Sequence, residues 1–345
     1  MIIAVDAMGG DYGPLEAVPG AVEALRRCSA RIALVGDEAV IAKELSSLGI
    51  GADLGQRISV VHASESITMD EDPLTAVRHK RDSSIVVGAR LVREGRAAAL
   101  VSAGSTGALV AAGPLVVGRI PGIARPALAT PVPTLKRPCL FLDVGANPEC
   151  KPEHLLQFAA LGSAYAAALF GIQRPSVGLL SNGTEPSKGT AVHRQAFELL
   201  SKSGLDFVGN IEARTIQSGD VDVIVSDGFT GNVALKLMEG LGQAVFQMIR
   251  QEVERNFRAK MGALLLKPAL KSVKARMDYS EYGGAPLLGL AGLVVKAHGS
   301  SSRKAFASAI AVTARLVEAG VVQSMKRAAA QFRAENAGGG ETGGS

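Results

Sequence analysis

Met1-Ile2-Ile3-Ala4-Val5-Asp6-Ala7-Met8-Gly9-Gly10-Asp11-Tyr12-Gly13-Pro14 opens the chain, and the order of its residue types decides the fold. Ile2 to Val5 is a short apolar run of the kind that makes a buried strand, and Asp6 to Gly13 is a turn rich in glycine and aspartate. Pro14 has the fixed φ that suits a first helical turn, and Leu15 to Arg27 then reads as a helix. The same unit recurs along the chain. Ile32 to Val35 leads into Gly36-Asp37, Ala98 to Ser102 into Ala103-Gly104-Ser105-Thr106-Gly107, and Leu140 to Val144 into Gly145-Ala146-Asn147-Pro148. Val177 to Leu180 leads into Ser181-Asn182-Gly183-Thr184-Glu185-Pro186-Ser187-Lys188-Gly189, and Val221 to Val225 into Ser226-Asp227-Gly228-Phe229-Thr230-Gly231-Asn232. Leu293 to Lys296 leads into His298-Gly299-Ser300-Ser301-Ser302. Near-continuous apolar strands alternating with helices predict an α/β fold: a mostly parallel, doubly wound sheet with helices on both faces and right-handed crossovers, a three-layer α/β/α sandwich. A single domain is expected over residues 1–330. Ligands bind beyond the carboxyl ends of strands in such sheets, so these turns are expected to share one edge and to converge there.

Composition agrees with a large globular core. The chain has 345 residues, 47% of them apolar, yet only 4% are aromatic and none is Trp. That aromatic poverty argues against a base-stacking nucleic-acid binder. A net charge of +5 suits an anionic partner without choosing one. Cys28, Cys139 and Cys150 are odd in number and lack metal-ligand spacing, which disfavours a disulfide framework or a zinc site and fits a reducing cytoplasm. The acid at Asp6 comes too early for a secretory leader, so the protein is expected to stay inside the cell. Residues 97–118 carry no charge and match a bilayer in length, but Gly104, Gly107, Gly113 and Pro114 break them into strand, turn and helix.

Two segments depart from the repeating unit. From about Leu235 to Met277 the pattern predicts a protruding helical hairpin with its tip at Met261-Gly262-Ala263-Leu264-Leu265-Leu266, just before Pro268. Between Arg250 and Arg276 eight Lys and Arg face two Glu, so the positive charge of the chain is concentrated there. Residues 337–345 form a Gly-rich tail expected to be disordered.

A glycine-rich turn that opens a helix presents unpaired N–H groups and the positive end of the macrodipole, and it lets an anion approach without a Cβ in the way. The motifs that would name a nucleotide are missing: there is no GxxxxGK[ST], and Gly9-Gly10-Asp11-Tyr12-Gly13 lacks GxGxxG spacing. GxSxG and HExxH are absent as well. Lys188 is either a point charge for an oxyanion or a solvated loop lysine. Asn232 either donates to a developing oxyanion or caps the helix behind it. Asp6 and Asp227 either bind ligand hydroxyls or order their turns, and His298 is an acid-base group or a turn-stabilising side chain. Cys150 has no activating base in sequence reach and is read as incidental.

Taken together, the blocks Ala4-Val5-Asp6-Ala7-Met8-Gly9-Gly10-Asp11, Ser102-Ala103-Gly104 with Thr106-Gly107-Ala108-Leu109, and Leu142-Asp143-Val144-Gly145-Ala146-Asn147 resemble one family. The resemblance continues through Gly209-Asn210-Ile211-Glu212, Asp227-Gly228-Phe229-Thr230-Gly231-Asn232-Val233, Tyr282-Gly283-Gly284-Ala285-Pro286 and His298-Gly299-Ser300-Ser301. The family is that of the bacterial phosphate acyltransferases, PlsX. The resemblance implies a fold similar to phosphotransacetylases and isocitrate-type dehydrogenases. It implies transfer of a fatty acyl chain from acyl carrier protein to inorganic phosphate, giving acyl phosphate for phospholipid synthesis; no cofactor and no metal ligand is expected among the site residues. It further implies a homodimer, peripheral contact with an anionic membrane from the cytoplasmic side, and a downstream glycerol-3-phosphate acyltransferase as partner.

By that resemblance Lys188 and Asn232 are the expected catalytic residues. Gly9, Gly10, Gly104, Ser105 and Thr106 would hold phosphate, Asp6, Asn147, Asp227 and His298 would complete the substrate site, and Leu264, Leu265 and Leu266 would meet the membrane. Tyr12 stands where the family has His, and Ser105 where it has Asn. Two rivals use the same turns: a short-chain phosphotransacylase working on coenzyme A thioesters, and a non-catalytic phosphate-binding membrane scaffold.

Overall fold

The computed structural model describes residues 1–277 and 283–338. Tyr282, and the part of the expected Gly-rich tail from residue 339 on, lie outside the described residues. Eleven strands form one continuous sheet. β1 (Ile2–Asp6), β2 (Arg31–Gly36), β3 (Ile58–His62) and β4 (Ala99–Ser102) run parallel with β11 (Leu293–Lys296), in the order β3-β2-β1-β4-β11. β6 (Cys139–Leu142), β7 (Ser176–Ser181), β8 (Asp206–Glu212) and β9 (Val223–Val225) form a second parallel set, in the order β6-β9-β7-β8. Between the sets stand β10 (Ala285–Leu288) and β5 (Ala127–Val132), each antiparallel to both of its neighbours.

Three successive antiparallel pairings turn the second set to point opposite to the first. The expectation that every strand-end turn shares one edge is therefore corrected. The turns after β1, β2, β4 and β11 leave by one edge, and those after β6, β7 and β9 leave by the other. The apolar pattern of a strand carries no information about direction, which pairing decides. The two strands that perform the reversal were hidden as well, because Pro131 and Pro286 sit inside them and proline demotes a strand signal.

The helices sort onto the two faces. α1 (Pro14–Ala24), α2 (Glu38–Ser47) and α3 (Ala52–Gly55) follow the first strands, with α4 (Pro73–His79), α5 (Ser84–Arg93) and α6 (Thr106–Ala112) next. α7 (Pro152–Phe170), α8 (Ala191–Ser201), α9 (Gly228–Arg255), α10 (Phe257–Met277), α11 (Arg303–Glu318) and α12 (Val321–Gly338) complete the set. α1, α7, α8, α11 and α12 bury Phe158, Tyr165 and Phe306 against one face, whereas α4, α5, α6 and the start of α9 pack on Leu100 and Phe141 of the other. This is the expected three-layer arrangement. Residues 97–118 resolve into β4, α6 and a π-helical turn at Gly113–Val117. Among the described residues no single helix is long and apolar enough to cross a membrane.

The helical pair after β9 is present, but its turn is elsewhere than expected. The chain breaks at Asn256, whose side chain accepts from the Ala259 N–H at 2.8 Å and so caps α10. Leu264, Leu265 and Leu266 fall inside α10, among Ala, Leu and Lys residues that favour helix and carry it past Gly262 and Pro268.

Glycine sets the close contact between α1 and α11. A Cβ on Gly20 of α1 would lie 2.5 Å from the Phe306 Cβ and 2.9 Å from the Arg303 carbonyl oxygen of α11. Gly20→Val is expected to push these helices apart and to lower stability by about 1–3 kcal/mol, read from chemical denaturation. An unchanged midpoint would show that this contact is slack.

Candidate active site

At the first edge the Asp6 carboxylate folds the turn behind it. Its Oδ1 accepts from the Met8 and Gly9 N–H groups at 3.1 Å each, and its Oδ2 accepts from the Ser102 hydroxyl at 2.6 Å. Ser102 Oγ in turn accepts from the Gly104 N–H at 3.0 Å, so the turns after β1 and β4 are locked together. A Cβ on Gly9 would meet Asp6 Oδ2 at 2.4 Å and the Gly104 nitrogen at 2.6 Å, which is why glycine stands there. Asp11 donates its N–H to the Gly299 carbonyl at 2.8 Å, tying in the turn after β11. His298 Nδ1 lies 2.8 Å from the Ser300 hydroxyl and accepts from the Ser300 N–H, an arrangement that shapes its own turn. Ser105 caps α6 by accepting from the Ala108 N–H, and Thr106 is the first residue of that helix.

Lys296 lies in the same cluster and was not among the expected site residues. Its ammonium donates to the Ala103 carbonyl at 3.2 Å and to the Ala297 carbonyl. Burial pulls its pKa down to about 8 although Asp6 and Asp11 favour the charged form, and burial pushes the Asp6 carboxyl upward. The clue was visible in Leu293-Val294-Val295-Lys296, where a charge ends an otherwise apolar strand.

The second edge repeats the device. Asp143 Oδ1 accepts from the N–H groups of Leu128, Gly145 and Ala146 at 3.0–3.2 Å, and Oδ2 accepts from the Asn147 N–H at 2.7 Å. Both amide hydrogens of Asn147 are taken, one by Asp143 Oδ2 at 2.8 Å and one by the Pro126 carbonyl at 2.7 Å. Asn147 is thus a staple of the turn, with no side-chain N–H left for a ligand. Gly228 donates to the Asn147 carbonyl at 2.8 Å, and a Cβ on Gly231 would stand 1.9 Å from the Asp143 carbonyl oxygen. The start of α9 therefore sits directly on the turn after β6. Asp227 caps α9 through the Thr230 N–H at 2.8 Å.

The two halves share a sequence device that escaped notice. Val101-Ser102-Ala103-Gly104-Ser105-Thr106-Gly107 and Val225-Ser226-Asp227-Gly228-Phe229-Thr230-Gly231 follow one pattern, V-S-x-G-x-T-G. Each begins at the end of a strand that pairs in parallel with the strand ending in, or just before, a buried aspartate. A search for internal repeats would have found it. The serines of the two copies differ in their bonding: Ser102 Oγ is bonded, whereas Ser226 Oγ is buried without a partner among the described residues.

Asn232 and Lys188 belong to this second edge. The Asn232 amide carbon is 3.7 Å from where a Cβ on Gly145 would be, so its side chain lies over the Asp143 turn. Lys188 stands in the loop after β7, which the Lys188 N–H to Glu185 carbonyl bond, the Gly189 N–H to Asn182 Oδ1 bond and the Asn210 amide hold in shape at 2.8–3.0 Å. Its ammonium is exposed and has no partner among the described residues. Asp6, Gly9, Gly10, Gly104, Ser105, Thr106 and His298 thus gather at one edge, and Asn147, Lys188, Asp227 and Asn232 at the other. α6 connects them: it starts beside Gly104 and its Val110 faces Ala146 and Asn147 across a cavity of about 140 Å³. A larger cavity of about 500 Å³, beside α1 and lined by Arg26, Arg27 and Leu48, contains none of the strand-end turns.

Cys150 lies near Asp143 and Asp227, and burial together with those charges pushes its thiol up to about 12. It is a neutral thiol at physiological pH, which disfavours an acyl-cysteine intermediate.

Comparison with known proteins agrees with this architecture. A family model described as "Fatty acid synthesis protein" matches residues 1–324. The phosphate acyltransferase of Moorella thermoacetica is 53% identical over 325 residues, covering 94% of this chain and 95% of that one. The phosphate acyltransferase of Desulfitobacterium hafniense (strain DSM 10664 / DCB-2) is 50% identical over 335 residues, covering 97% and 99%. Among solved structures, a phosphotransacetylase from Streptococcus pyogenes superposes with a TM-score of 0.64 at 19% identity, covering 92% of this chain and 94% of that one. The EutD phosphotransacetylase from Staphylococcus aureus gives a TM-score of 0.60 at 18% identity, with the same coverage. The fold is that of the phosphotransacetylases, and the sequence relatives make the chain an acyl-transferring enzyme. It belongs to the phosphate acyltransferase family.

Cys150→Ala is expected to leave acyl transfer within about twofold of the unmodified protein, because a neutral thiol contributes no nucleophile. A loss of a hundredfold or more with the fold intact would restore Cys150 as a reacting group.

Proposed function

We propose that the chain transfers a fatty acyl group from acyl carrier protein to inorganic phosphate, and that the acyl phosphate formed supplies phosphatidic acid and phospholipid synthesis. The observation that carries this reading is that the Lys188 ammonium and the Asn232 amide, both without a hydrogen-bond partner among the described residues, stand at the same strand-end edge, Asn232 over the Asp143 turn, whose own polar groups are satisfied. Phosphate is already anionic at neutral pH and a thioester has a good leaving group, so no activated serine or cysteine is required. A phosphate oxygen forms a bond to the thioester carbonyl carbon, and the carbonyl electrons move onto oxygen. Asn232 donates to that oxyanion, and Lys188 offsets the charge shared by nucleophile and oxyanion. Collapse breaks the carbon–sulfur bond, and the thiolate of the carrier leaves and takes a proton from water. The glycine turns after Asp6 and Ser102 lie at the other edge, joined to this centre by α6.

Exposed apolar surface supports the partners proposed with this reaction. Phe229, Val233, Leu237, Leu241 and Val245 repeat every four residues along α9 and are 41–68% exposed, a stripe suited to a second copy of the chain in a homodimer. Leu264, Leu265 and Leu266 are 59–82% exposed and stand among Lys260, Lys267 and Lys271 on α10, a pattern suited to the anionic inner face of the cytoplasmic membrane. A glycerol-3-phosphate acyltransferase at that membrane would take up the product.

Acyl phosphate formation from acyl carrier protein and labelled phosphate is expected to fall by about 100- to 1000-fold in Lys188→Ala and in Asn232→Ala. Near-normal rates in either variant remove that residue from the mechanism. A preference for coenzyme A over carrier protein as donor would favour a short-chain phosphotransacylase, and no phosphate-dependent loss of thioester would leave a binding scaffold. Liposome flotation tests the membrane contact separately: Leu265→Glu is expected to reduce recovery with anionic vesicles, and unchanged recovery rules out α10 as the contact.

A further inference from the structure

The reversal of strand direction separates the glycine cradle at the first edge from Lys188 and Asn232 at the second, and this bears on where the attacking phosphate sits. β4 alone spans four residues, and at about 3.3 Å per residue the two edges lie roughly 13 Å apart. A nucleophile must stand about 3–3.5 Å from the carbon it attacks. Within one copy of the chain, phosphate held by Gly9 and Gly104 is too far from a thioester held by Asn232 to react with it.

The second edge has its own place for an anion. The cavity of about 140 Å³ between α6 and the Asp143 turn is open to solvent, and Val110, Pro114, Ala146 and Asn147 line it together with Arg119 and Arg125. At about 30 Å³ per water molecule, it suits a compact tetrahedral anion and is too small for an acyl chain. Arg119 spends one N–H on the Ala124 carbonyl. Arg125 has no hydrogen bond or ion pair among the described residues, and its charge reaches Cys150 and His154 beside the Asp143 and Asp227 turns. The turn that lines this cavity through Ala146 and Asn147 also carries Asn232 over Gly145. Cation and amide thus flank a single turn.

We propose that the phosphate that attacks the thioester is held in this cavity by the Arg125 guanidinium, with Arg119 as the second cation. The inference rests on the phosphate acyltransferase reading above. It makes Arg125 the residue that sets affinity for the nucleophile, because a guanidinium binds two oxygens of a phosphate at once where a lysine offers a point charge.

Steady-state kinetics with acyl carrier protein thioester and inorganic phosphate test it, together with line broadening of the phosphorus NMR signal of inorganic phosphate by the protein. Arg125→Ala is expected to raise the KM for phosphate by about 10- to 100-fold, to leave the KM for thioester within about twofold, and to abolish the broadening. Arg125→Lys is expected to fall between the two. Arg125 is exposed, so an unchanged thermal melt will confirm that the variants fold. Unaltered phosphate KM and broadening in Arg125→Ala overturn the proposal. If the unmodified protein forms no acyl phosphate yet Arg125→Ala still loses the broadening, the activity reading fails and the anion site stands.

Discussion

Two buried carboxylates hold the working edges of this molecule in shape. Asp6 and Asp143 are both fully inaccessible, and burying an ionised carboxyl is costly unless hydrogen bonds surround it. Each solves the problem the same way, accepting from the N–H groups two and three residues ahead and so winding the chain into a tight glycine turn. Asp6 adds the Ser102 hydroxyl, and Asp143 adds Leu128 and Asn147. The helices α6 and α9 then start from neighbouring strands on turns that can have only one shape. Without those carboxylates the glycine turns would have no reason to adopt a single conformation, and Asn232 would have no fixed floor.

Duplication of the device did not duplicate the chemistry. At the first edge the half-buried cation, Lys296, is spent on backbone carbonyls, and charge is balanced inside the cluster by Asp6 and Asp11. At the second edge the cations Lys188 and Arg125 remain unpaired among the described residues and face solvent, where a charged substrate can reach them. A satisfied cluster stabilises its own turns, and an unsatisfied one is left with free energy to offer a ligand. The difference between the halves lies in what their lysines and arginines touch.

Much of this was legible from residue order. The apolar runs closing on glycine and aspartate predicted strands and helices at nearly every place where they occur, and the motif blocks pointed to the family that the relatives then showed. The role of Asn147 was not legible, because an amide in a glycine turn looks the same whether its hydrogens are free or, as here, both engaged. The bend of the helical pair was misplaced because a glycine and a proline look like a tip, while the capping that decides the matter comes from the single side chain of Asn256.

The sequence by itself determined seven of the eleven strands, the three layers and the glycine turns, because these depend on local periodicity and on which residues tolerate a turn. Tertiary structure alone decided which turns meet. β5 and β10, each with a proline inside, enter the sheet antiparallel and reverse the direction of half of its strands, so the turns divide between two edges instead of converging on one. Direction and pairing are set by contacts between segments far apart in the chain, and no local pattern of residues records them.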